Sequence, residues 1–586
     1  MTRAFPPPRV SRSLRPHDPA AATRLARELG IPDAVARVLA ARGITSPREA
    51  RAFLEPGPDA LHDPFGMGGM PEAVDLLVAS ARRGGRVVVF GDYDCDGIGA
   101  LAILTTTLKR LGADAIPFIP HRMRDGYGLR PETLRRVLDE HAPEGIVTVD
   151  CGITAVDPVQ EAVSRGVYVV VTDHHLPPEE LPKGAVLLNP RIPGCPYPFK
   201  ELAGAGIAWK LSEALLRTDG SRVGVAETSV RGWMASLAKV AALSTIADMV
   251  PLTGENRVLT SWGLAGLSEP RSPGLTALLS RCSVRAGKTP SVYDVAFRIA
   301  PRLNASGRID HAFRALELLT TADTARANVL ADEIEAANTE RRRMQERVVA
   351  AALSRLEKTF DPVRDALVVE AGDPEDGWHR GVLGIAASKI AHELSRPVLL
   401  LAREDGRVGG SGRTWGRTPL YDRIAPVAHR HAADFGGHHA AIGLSLAASG
   451  YEAFREDAQA AFAAARDEDE WSVIYEADAE LSPAEATPAL VAALEKLEPH
   501  GMGNARPLFL LRGLSWDGRG RPVGDRGLRL TWERDGVKLD AVGWSLGTIP
   551  GPDRRGRWDI LANLSQDPFL GRPGLTIVDA VRAEDA

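Results

Sequence analysis

Short runs of apolar residues alternate with helix-like stretches between about residues 82 and 190. Four of these runs consist mostly of β-branched and other apolar side chains, which is typical of strands buried on both faces of a parallel sheet. The runs are residues 87–90, 146–149, 167–171 and 185–188. Because the strands alternate with helical patterns, this part of the chain predicts an open α/β domain with a parallel sheet.

The pattern changes three times after this region. Residues 202–312 are mostly helical and are expected to complete the first domain. Residues 322–358 predict one helix of about 50 Å, which either packs in a core or bridges two domains. A second, smaller α/β segment follows, with strands at residues 366–370 and 397–402. The remaining chain has short alternating strands separated by Gly and Pro, which favours a small antiparallel barrel.

The predicted fold class is α/β: a parallel-sheet domain is joined by a long helix to a second smaller α/β subdomain, followed by a C-terminal β-barrel. The predicted boundaries are 1–75 for a mostly helical N-terminal extension, 76–320 for the first domain, 321–358 for the connecting helix, 359–452 for the second subdomain and 465–586 for the barrel. We expect the barrel to be separable, so that deletion of residues 471–586 leaves a folded core.

Composition limits the function classes. The chain has 586 residues, 44% of them hydrophobic and 25% charged, which matches a soluble globular protein of several domains. Its net charge of -5 excludes a uniformly basic DNA-wrapping protein, so any contact with nucleic acid must be local. The four cysteines are dispersed and indicate neither a zinc site nor a disulfide framework. The chain has no long apolar stretch and no signal-peptide pattern, so we predict a cytoplasmic protein without a membrane segment.

Acidic and imidazole side chains follow three of the predicted strands. In chain order they are Asp92, Asp94 and Asp96, then Asp150, then Asp173, His174 and His175. The carboxyl ends of parallel strands meet at one edge of a sheet, so these side chains are expected to lie close together. Buried like charges need a cation, and oxygen ligands with one or two imidazoles suit Mn²⁺ or Mg²⁺ better than zinc. Asp248, an acidic residue in an apolar segment, is a further candidate ligand.

A shared set of carboxylates can hold two divalent ions roughly 3.5 to 4 Å apart. Such a pair activates a water molecule and stabilises the charge that develops during a phosphoryl displacement. We therefore predict phosphoester hydrolysis with Mn²⁺ or Mg²⁺ as cofactor, with two ions at the site.

Four ordered motifs carry a resemblance to a known family. They are GDYDCDG at residues 91–97, VDCG at 149–152, TDHH at 172–175 and AD at 247–248. In this order they resemble the motifs of the DHH phosphoesterase family. Further support comes from residues 302–308, 377–385, 409–413 and 436–438. These segments are similar to those of the family members that degrade single-stranded DNA from the 5′ end, which implies a 5′-to-3′ single-strand-specific DNA exonuclease of recombination and repair.

The resemblance assigns roles residue by residue. The implied metal ligands are Asp94, Asp96, Asp150, His174 and Asp248, with Asp92 and Asp173 as further candidates and His175 as a catalytic group that acts on the phosphate. The implied substrate-binding residues are Arg302, Asn304, Arg308, Ser411, Arg413, Gly436, Gly437 and His438. Within this second set, Ser411, Arg413 and His438 resemble a pocket for a 5′-terminal phosphate. Glycines leave backbone N–H groups open to an anion, and the neighbouring charges suit it.

The C-terminal barrel resembles the oligonucleotide-binding fold that these exonucleases carry, and residues 499–504 resemble the motif that leads into it. Such a fold follows a single strand with basic side chains and stacks bases on aromatic rings. The candidates are Arg512, Arg519, Arg521, Arg526, Arg529, Trp516 and Trp532.

Two residues depart from the family pattern. Phe90 stands where many members have a histidine before the first acidic motif, and Ile442 stands where a small residue is common. A phenyl ring cannot bind a metal, so a Phe90 ring at the rim would leave one ion with one ligand fewer. The alternative is that Phe90 is the last apolar residue of its strand and faces the core.

The sequence also leaves alternatives to the exonuclease. One is a DHH phosphodiesterase that acts on short oligoribonucleotides or cyclic dinucleotides, and the other is a non-catalytic DNA-binding scaffold. The additional barrel argues against the first, and the intact acidic motifs argue against the second. The partners implied by the resemblance are single-stranded DNA, single-strand-binding protein and a RecQ-type helicase, and we expect a monomer.

Overall fold

The structure is a computed structural model. It describes residues 9–122, 124–126, 128–309, 311–362, 364–431, 433–464, 472–524, 527–544, 556–567 and 571–583. Within these ranges the chain forms three sheets of five, five and seven strands, together with one two-stranded pairing. Short 3-10 helices lie at Pro58–Ala60, Pro64–Gly66, Gly220–Val223, Pro374–Asp376, Ala448–Gly450 and Pro483–Glu485.

The first domain is built on a five-stranded sheet. Its strands are β2 Arg86–Gly91, β3 Asp114–Phe118, β4 Gly145–Val149, β5 Tyr168–Thr172 and β6 Val186–Leu188. The order is β3-β2-β4-β5-β6 and every pair is parallel, which confirms the predicted parallel sheet. The helices around it are α4 Met70–Arg83, α5 Cys95–Leu111, α6 Pro131–His141 and α7 Val156–Ser164.

A helical layer completes this domain, as predicted. Its helices are α8 Gly204–Asp219, α9 Glu227–Ala247, α10 Gly254–Leu267, α11 Pro273–Arg281, α12 Val292–Asp294, α13 Ala300–Ile309 and α14 Phe313–Thr320. A π-helical turn, Val295–Ile299, joins α12 to α13.

The connecting helix α15 spans Thr324–Thr359 and is capped at its start by the carboxylate of Asp323. Its first half places Leu330 and Ile334 in the core of the first domain, and its second half places Val348 and Leu356 in the core of the next. Both interpretations of the sequence therefore hold, because one helix packs in two cores and so bridges them.

The second subdomain has a mixed sheet. Its elements are β7 Val368–Gly372, α16 Arg380–Leu394, β8 Val398–Glu404, β9 Arg407–Arg413, α17 Leu420–Arg430, β10 Asp434–His438, β11 Ala441–Ala447 and α18 Tyr451–Ala464. The strand order is β10-β11-β9-β8-β7, with only the β7–β8 pair parallel.

The C-terminal part forms the seven-stranded sheet. Its elements, after β12 Ser472–Ala477, are β13 Ala479–Glu480, α19 Pro488–Glu495, β14 Phe509–Trp516, β15 Arg521–Val523, β16 Gly527–Arg534, β17 Val537–Gly543, β18 Gly556–Gln566 and β19 Pro573–Arg582. A pairing of β14 with β16 curls the sheet into a barrel. The barrel is not wholly antiparallel, because β17 and β19 run parallel, as do β13 and β14.

The N-terminal extension belongs to the barrel. It consists of β1 Arg9–Leu14 and the helices α1 Pro19–Leu29, α2 Asp33–Ala41 and α3 Pro47–Leu54. β1 pairs in parallel with β12, and Leu25 and Leu39 share a core with Phe509 of the barrel. Deleting residues 471–586 would therefore uncover the apolar faces of these helices, whereas, in the part of the chain that the structure describes, the buried cores of the first domain and the second subdomain contain no barrel residue. That this deletion leaves a folded core stays a prediction.

The barrel is also fixed to the first domain. Arg257 of α10 donates hydrogen bonds to the carbonyl oxygens of Leu497 at 3.0 Å and Glu498 at 2.7 Å. The amide of Leu252 donates to the carbonyl of Met502 at 2.7 Å. The turn that leads into the barrel thus lies against the segment that follows Asp248.

Candidate metal centre

The acidic loop after β2 is held by its own backbone. Asp94 is the N-cap of α5, and its Oδ1 accepts hydrogen bonds from the amides of Asp96 at 2.9 Å and Gly97 at 3.1 Å. Gly97 has no room for a side chain, since a Cβ there would lie 2.6 Å from the carbonyl oxygen of Asp92. The three aspartates therefore stand on one tight turn at the carboxyl edge of the sheet.

Asp96 reaches across to α8. Its carboxylate accepts hydrogen bonds from the amides of Gly204 at 2.7 Å and Ala205 at 2.9 Å, where that helix begins. The positive end of the helix dipole favours the charged carboxylate. Burial and the neighbouring Asp94 nevertheless raise the pKa of Asp96 to about 7. Position 204 requires glycine, because a Cβ would lie 2.7 Å from Cβ of Asp150.

His174 lies at the middle of the centre. Its Nε2 is 3.1 Å from Oδ1 of Asp150, 3.7 Å from Oδ2 of Asp248 and 3.9 Å from Oδ2 of Asp96. Burial lowers the pKa of His174 to about 3, so the ring is neutral and can offer a lone pair. His174 Nε2 and Asp150 Oδ1 are buried without a hydrogen-bond partner among the residues described. A bound cation would satisfy both atoms.

The ligand atoms form three overlapping groups, and within each group they lie within 4.8 Å of one another. The groups are Asp92 with Asp94 and Asp150, Asp96 with His174 and Asp248, and Asp150 with His174 and His175. Asp150 and His174 each belong to two groups, as ligands shared by two ions would. Carboxylate oxygens with an imidazole fit Mn²⁺ or Mg²⁺, so the residues present suit these ions.

The pKa values of these carboxyl groups also indicate a cation. Burial, followed by the charge of Asp96, raises the pKa of Asp248 to about 9 and places that of Asp150 well above its usual range. Burial and then Asp94 raise the pKa of Asp92 in the same way. Protons neutralise these groups in the absence of another cation, and a divalent ion would displace them.

Asp173 has other partners. Its Oδ2 accepts the amide hydrogen of Ile153 at 2.9 Å, and its Oδ1 accepts that of His174 at 2.7 Å and lies 2.7 Å from Nδ1 of His175. Burial opposes protonation of His175, but the bond to Asp173 outweighs it and raises the pKa to about 9. A protonated ring donates hydrogen bonds rather than binding a metal. Asp173 lies outside the three groups and positions a charged His175 at the rim. In this charged form His175 is not a metal ligand, which leaves Asp150 and His174 as the metal-binding members of the third group.

A cluster of arginines lies where the first domain contacts the second subdomain, near this rim. Arg308 of α13 donates to the carbonyl of Gly381 at 3.4 Å, at the start of α16. Arg413 and Ser411 of β9 contact the same helix at Gly384, where a Cβ would lie 2.8 Å from the Arg413 Nη2 and 3.4 Å from the Ser411 Oγ. Three of the predicted substrate-binding residues thus lie around the first turns of α16.

Arg122 completes this cluster, and sequence reasoning missed it. Its guanidinium lies 5.0 Å from the centre of the Tyr93 ring in the acidic loop. Burial and then the charge of Arg122 lower the pKa of Arg308 to about 9 and also lower the pKa of Arg413. Arg122 follows β3, and residues that follow parallel strands meet at the same edge of the sheet. The sequence does not predict β3 as a strand because it contains Pro117, so Arg122 is not among the candidates.

Two predicted substrate contacts have protein partners. Arg302 is buried, pairs with Glu335 of α15, and donates from Nη1 to the carbonyl of Arg298 at 2.6 Å. Asn304 accepts the amide hydrogen of Cys95 at 2.7 Å through Oδ1. Arg302 therefore ties α13 to the connecting helix, and Asn304 holds the first turn of α5 beside the metal ligands.

The glycine-rich segment of β10 lies in the mixed sheet. Gly437 has a φ of 154°, and a Cβ there would lie 2.2 Å from the carbonyl oxygen of Ala441, so only glycine fits. Gly436 borders open space. Ile442 is buried and pairs across the sheet with Gly412, so the small residue of this pair is on β9 rather than at position 442. The side chain of His438 lies outside the described part of the structure.

Phe90 faces the core. Its ring is fully buried and stacks on Phe118, with the ring centres 5.5 Å apart and the planes at 15°. It shares a cluster with Val88, whereas Val87 and Val89 point to the opposite face of the sheet. The interpretation in which Phe90 borders the metal rim is therefore wrong.

The barrel has a groove of about 860 Å³ on β14–β17 and the adjoining loops. Its basic lining residues are Arg519, Arg521, Arg529, Lys538 and Arg572. Trp516 contributes to its floor, but Trp516 and Trp532 are 3% and 1% exposed, and both pack with Trp558 in the core. Their predicted role in stacking bases is therefore wrong. Arg512 pairs with Asp559, and Arg526 lies outside the described residues.

Comparison with known proteins supports this division of the chain. The DHH family N-terminal domain matches residues 86–245, the DHHA1 domain matches 364–464, and the RecJ OB domain matches 477–578. The chain is 34% identical over 570 residues to the single-stranded-DNA-specific exonuclease RecJ of Escherichia coli, covering 94% of this chain and 95% of that protein.

The chain belongs to the RecJ family. The Bacillus subtilis member is 32% identical over 570 residues, covering 96% of this chain and 69% of the relative. A crystal structure of RecJ from Thermus thermophilus in complex with Mn²⁺ superimposes with a TM-score of 0.81 at 30% identity, covering 98% of this chain and 80% of that one. The same RecJ with Mg²⁺ gives a TM-score of 0.75 at 29% identity and covers 98% and 78%.

These structures carry the two metals that the ligand chemistry of this chain predicts. The prediction of Mn²⁺ or Mg²⁺ as cofactor is confirmed. Among the residues described, no helix is both long and apolar enough to cross a membrane.

Proposed function

We propose that this protein is a divalent-metal-dependent exonuclease that degrades single-stranded DNA in the 5′-to-3′ direction, in recombination and repair. The observation that carries the proposal is the adjacency of two features: the overlapping ligand groups around Asp150 and His174, and the cluster of arginines beside them. The first suits hydrolysis of a phosphodiester, and the second suits a terminal phosphate.

Each group in the centre has a chemical task. Bound divalent ions supply an activated water and stabilise the charge on the reacting phosphate. Asp96 keeps its orientation through the α8 amides, and Asp150 and His174 offer the shared ligand atoms. Charged His175, held by Asp173, donates a hydrogen bond to a phosphate oxygen or to the leaving oxygen.

The arginine cluster supports the direction of cleavage. Arg308, Arg413 and Ser411 lie around the first turns of α16, so two guanidiniums and a hydroxyl group are close together. Such a site suits the dianion of a terminal phosphate better than the single charge of an internal phosphodiester. We propose that it binds the 5′-phosphate and places the first phosphodiester at the metal centre.

The basic groove of the barrel supports the choice of a long single strand as substrate. Five basic side chains line it together with the acidic Asp517, Glu533 and Asp540, so it has a local excess of positive charge on a protein whose overall charge is negative. We propose that this excess attracts the phosphates of the strand. The proposed cytoplasmic location, the monomeric state and the partnership with single-strand-binding protein and a RecQ-type helicase stay predictions.

The end that is attacked first tests the direction of cleavage. A single strand labelled at both ends should release its 5′-labelled nucleotide first, and initial release of the 3′-label would contradict the proposed direction. A short oligoribonucleotide, a cyclic dinucleotide and a blunt duplex belong in the same assay. Preference for the first two substrates would instead favour the alternative phosphodiesterase.

Arg413→Ala tests the phosphate pocket. The variant should lose most of the preference for a 5′-phosphate over a 5′-hydroxyl, because one guanidinium of the pocket is gone. Arg407→Ala on the same strand is the matched control, since Arg407 pairs with Asp434 at the surface. An unchanged phosphate preference in Arg413→Ala would contradict the assignment of this pocket.

A further inference from the structure

A second large cavity lies beside the metal centre. It is a groove of about 1020 Å³ between the helical layer of the first domain and the turn that leads into the barrel. Ala247 and Met249, the neighbours of the ligand Asp248, line one end, and Asn304 lines it too. Asn304 also accepts a hydrogen bond from the amide of Cys95 in the acidic loop, so the groove adjoins the segments that carry the metal ligands.

Two aromatic rings are exposed in this groove. Tyr293 and Phe297 are 61% and 62% exposed, and their ring centres lie 4.7 Å apart at an interplanar angle of 33°. Met249 and Met502, which also line the groove, are 66% and 54% exposed. Large apolar side chains that remain exposed together mark a surface that binds something.

The aromatic rings lie on the same helical segment as Asn304, which bonds to the acidic loop. The residues of this segment that line the groove include Tyr293, Phe297, Pro301 and Asn304. They recur every three or four residues, so they form one face of the segment. A π-helical turn at Val295–Ile299 shifts the angular positions of the residues that follow it along the helix. This face leads from Asn304, beside the acidic loop, to the aromatic pair.

The charge of the groove argues for bases rather than phosphates. Lys288 and Arg506 line it, but so do Glu495 and Glu498, so its walls have no net basic character. A DNA duplex presents mainly phosphates, whereas an unpaired strand can turn its bases inward and leave its phosphates toward solvent. Apolar and aromatic walls with mixed charge suit the second arrangement.

We propose that this groove binds the unpaired bases of the strand that extends away from the metal centre, with Tyr293 and Phe297 as the stacking platform. The proposal rests on the proposed exonuclease function and adds a substrate-positioning site to it. Stacking needs separated bases, so the groove also selects a single strand. It recognises bases of any sequence, because every base has a π-face.

The test compares two oligomers of equal length, one normal and one abasic beyond its first two nucleotides. The full-length protein should cleave the normal oligomer with a kcat/KM at least tenfold higher, in line with the effect of stacking on affinity. In the double variant Tyr293→Ala, Phe297→Ala this preference should fall to near unity. Equilibrium binding of the same oligomers in EDTA, followed by fluorescence anisotropy, should show the same change without turnover.

Phe313→Ala is the matched control, because Phe313 is an exposed ring on α14 that does not line the groove. It should keep the wild-type preference. An equal loss in this control, or a double variant with the wild-type preference, would overturn the inference. If the wild type failed to cleave the normal single strand at all, the proposed function itself would be contradicted, so the two failures are distinguishable.

Discussion

Asp173 holds His175 through a 2.7 Å contact between its Oδ1 and the imidazole Nδ1. The same oxygen accepts the amide hydrogens of His174 and His175, at 2.7 Å and 3.0 Å. The aspartate is almost fully buried, whereas the side chain of His175 is 46% exposed. The buried carboxylate therefore holds a protonated imidazole in place at the rim of the metal centre, where its exposed edge can meet a substrate.

Asp173→Asn should narrow the pH range of activity. An amide leaves the hydrogen bond to His175 largely possible but removes the negative charge, so the pKa of His175 should fall from about 9. Since the protonated ring is the active form, activity should be lost at lower pH than in the wild type. A pH–rate profile in Mn²⁺ measures this shift.

His175→Asn is the companion variant and should reduce kcat by about 10²- to 10⁴-fold. Its pH–rate profile should lack the loss of activity at high pH that deprotonation of His175 causes in the wild type. An Asp173→Asn profile that coincides with the wild-type profile would show that His175 does not act through its charge.

The metal-free protein should lose stability as the pH rises. The pKa values of Asp96 and Asp248, about 7 and about 9, lie above the ordinary value of 3.8. From pH 3.8 up to each raised pKa, the folded state therefore binds more protons than the unfolded state. Raising the pH through this range removes those protons and should lower the Tm in EDTA. Mn²⁺ should restore more stability at pH 8 than at pH 6 and should release protons on binding.

Calorimetric titration with Mn²⁺ in buffers of different ionisation enthalpy measures the proton release. The Asp248→Asn variant should release fewer protons on binding Mn²⁺, because it lacks one carboxyl group with a raised pKa. A Tm that rises with pH in EDTA, or Mn²⁺ binding without proton release, would contradict the picture of protonated carboxyl groups that exchange their protons for a metal.

Phe90→His should leave the metal requirement unchanged. The Phe90 ring is buried against Phe118, away from the ligands, so an imidazole there cannot reach an ion. It should instead destabilise the fold by about 2–4 kcal/mol, because a polar ring replaces an apolar one in the core. Mn²⁺ activation curves for the two proteins should superimpose, and a shift of the variant to lower Mn²⁺ would contradict the core assignment.

Arg302 and Arg308 lie on the same helix and should respond differently to removal. Arg302→Ala deprives Glu335 of its partner and should cost about 2 kcal/mol of unfolding free energy. Arg308→Ala should lower kcat/KM for a 5′-phosphorylated strand. It should cost little stability, because Arg308 lies among the like charges of neighbouring arginines. Denaturant unfolding and steady-state kinetics of both variants separate the two roles. Equal losses of unfolding free energy and of kcat/KM in the two variants would refute the distinction.

Sequence reasoning located the centre because its physical basis is local. Buried parallel strands end at one edge of a sheet, so the sequence alone places Asp94, Asp150 and His174 together. The same reasoning missed Arg122, since β3 is a short edge strand that contains Pro117 and lacks a full apolar pattern.

Side-chain partners across the fold were the less predictable part. Nothing local to Arg302 indicates that Glu335, thirty-three residues further on, takes its charge. Trp532 lies in an alternating strand, and the pattern gives no sign of which face is buried until the barrel closes around it. The shared core of Leu25 and Phe509 depends on contacts between the two ends of the chain, which no short pattern contains.

The most direct test of the metal centre is the rate at which nucleotides leave a 5′-phosphorylated single strand, compared for the wild type and Asp150→Asn. The wild type should cleave in Mn²⁺ and stop in EDTA, whereas Asp150→Asn, which lacks a carboxylate shared by two ligand groups, should lose nearly all activity in Mn²⁺ while remaining folded. Cleavage by the wild type in saturating EDTA, or wild-type rates for folded Asp150→Asn, would contradict the account.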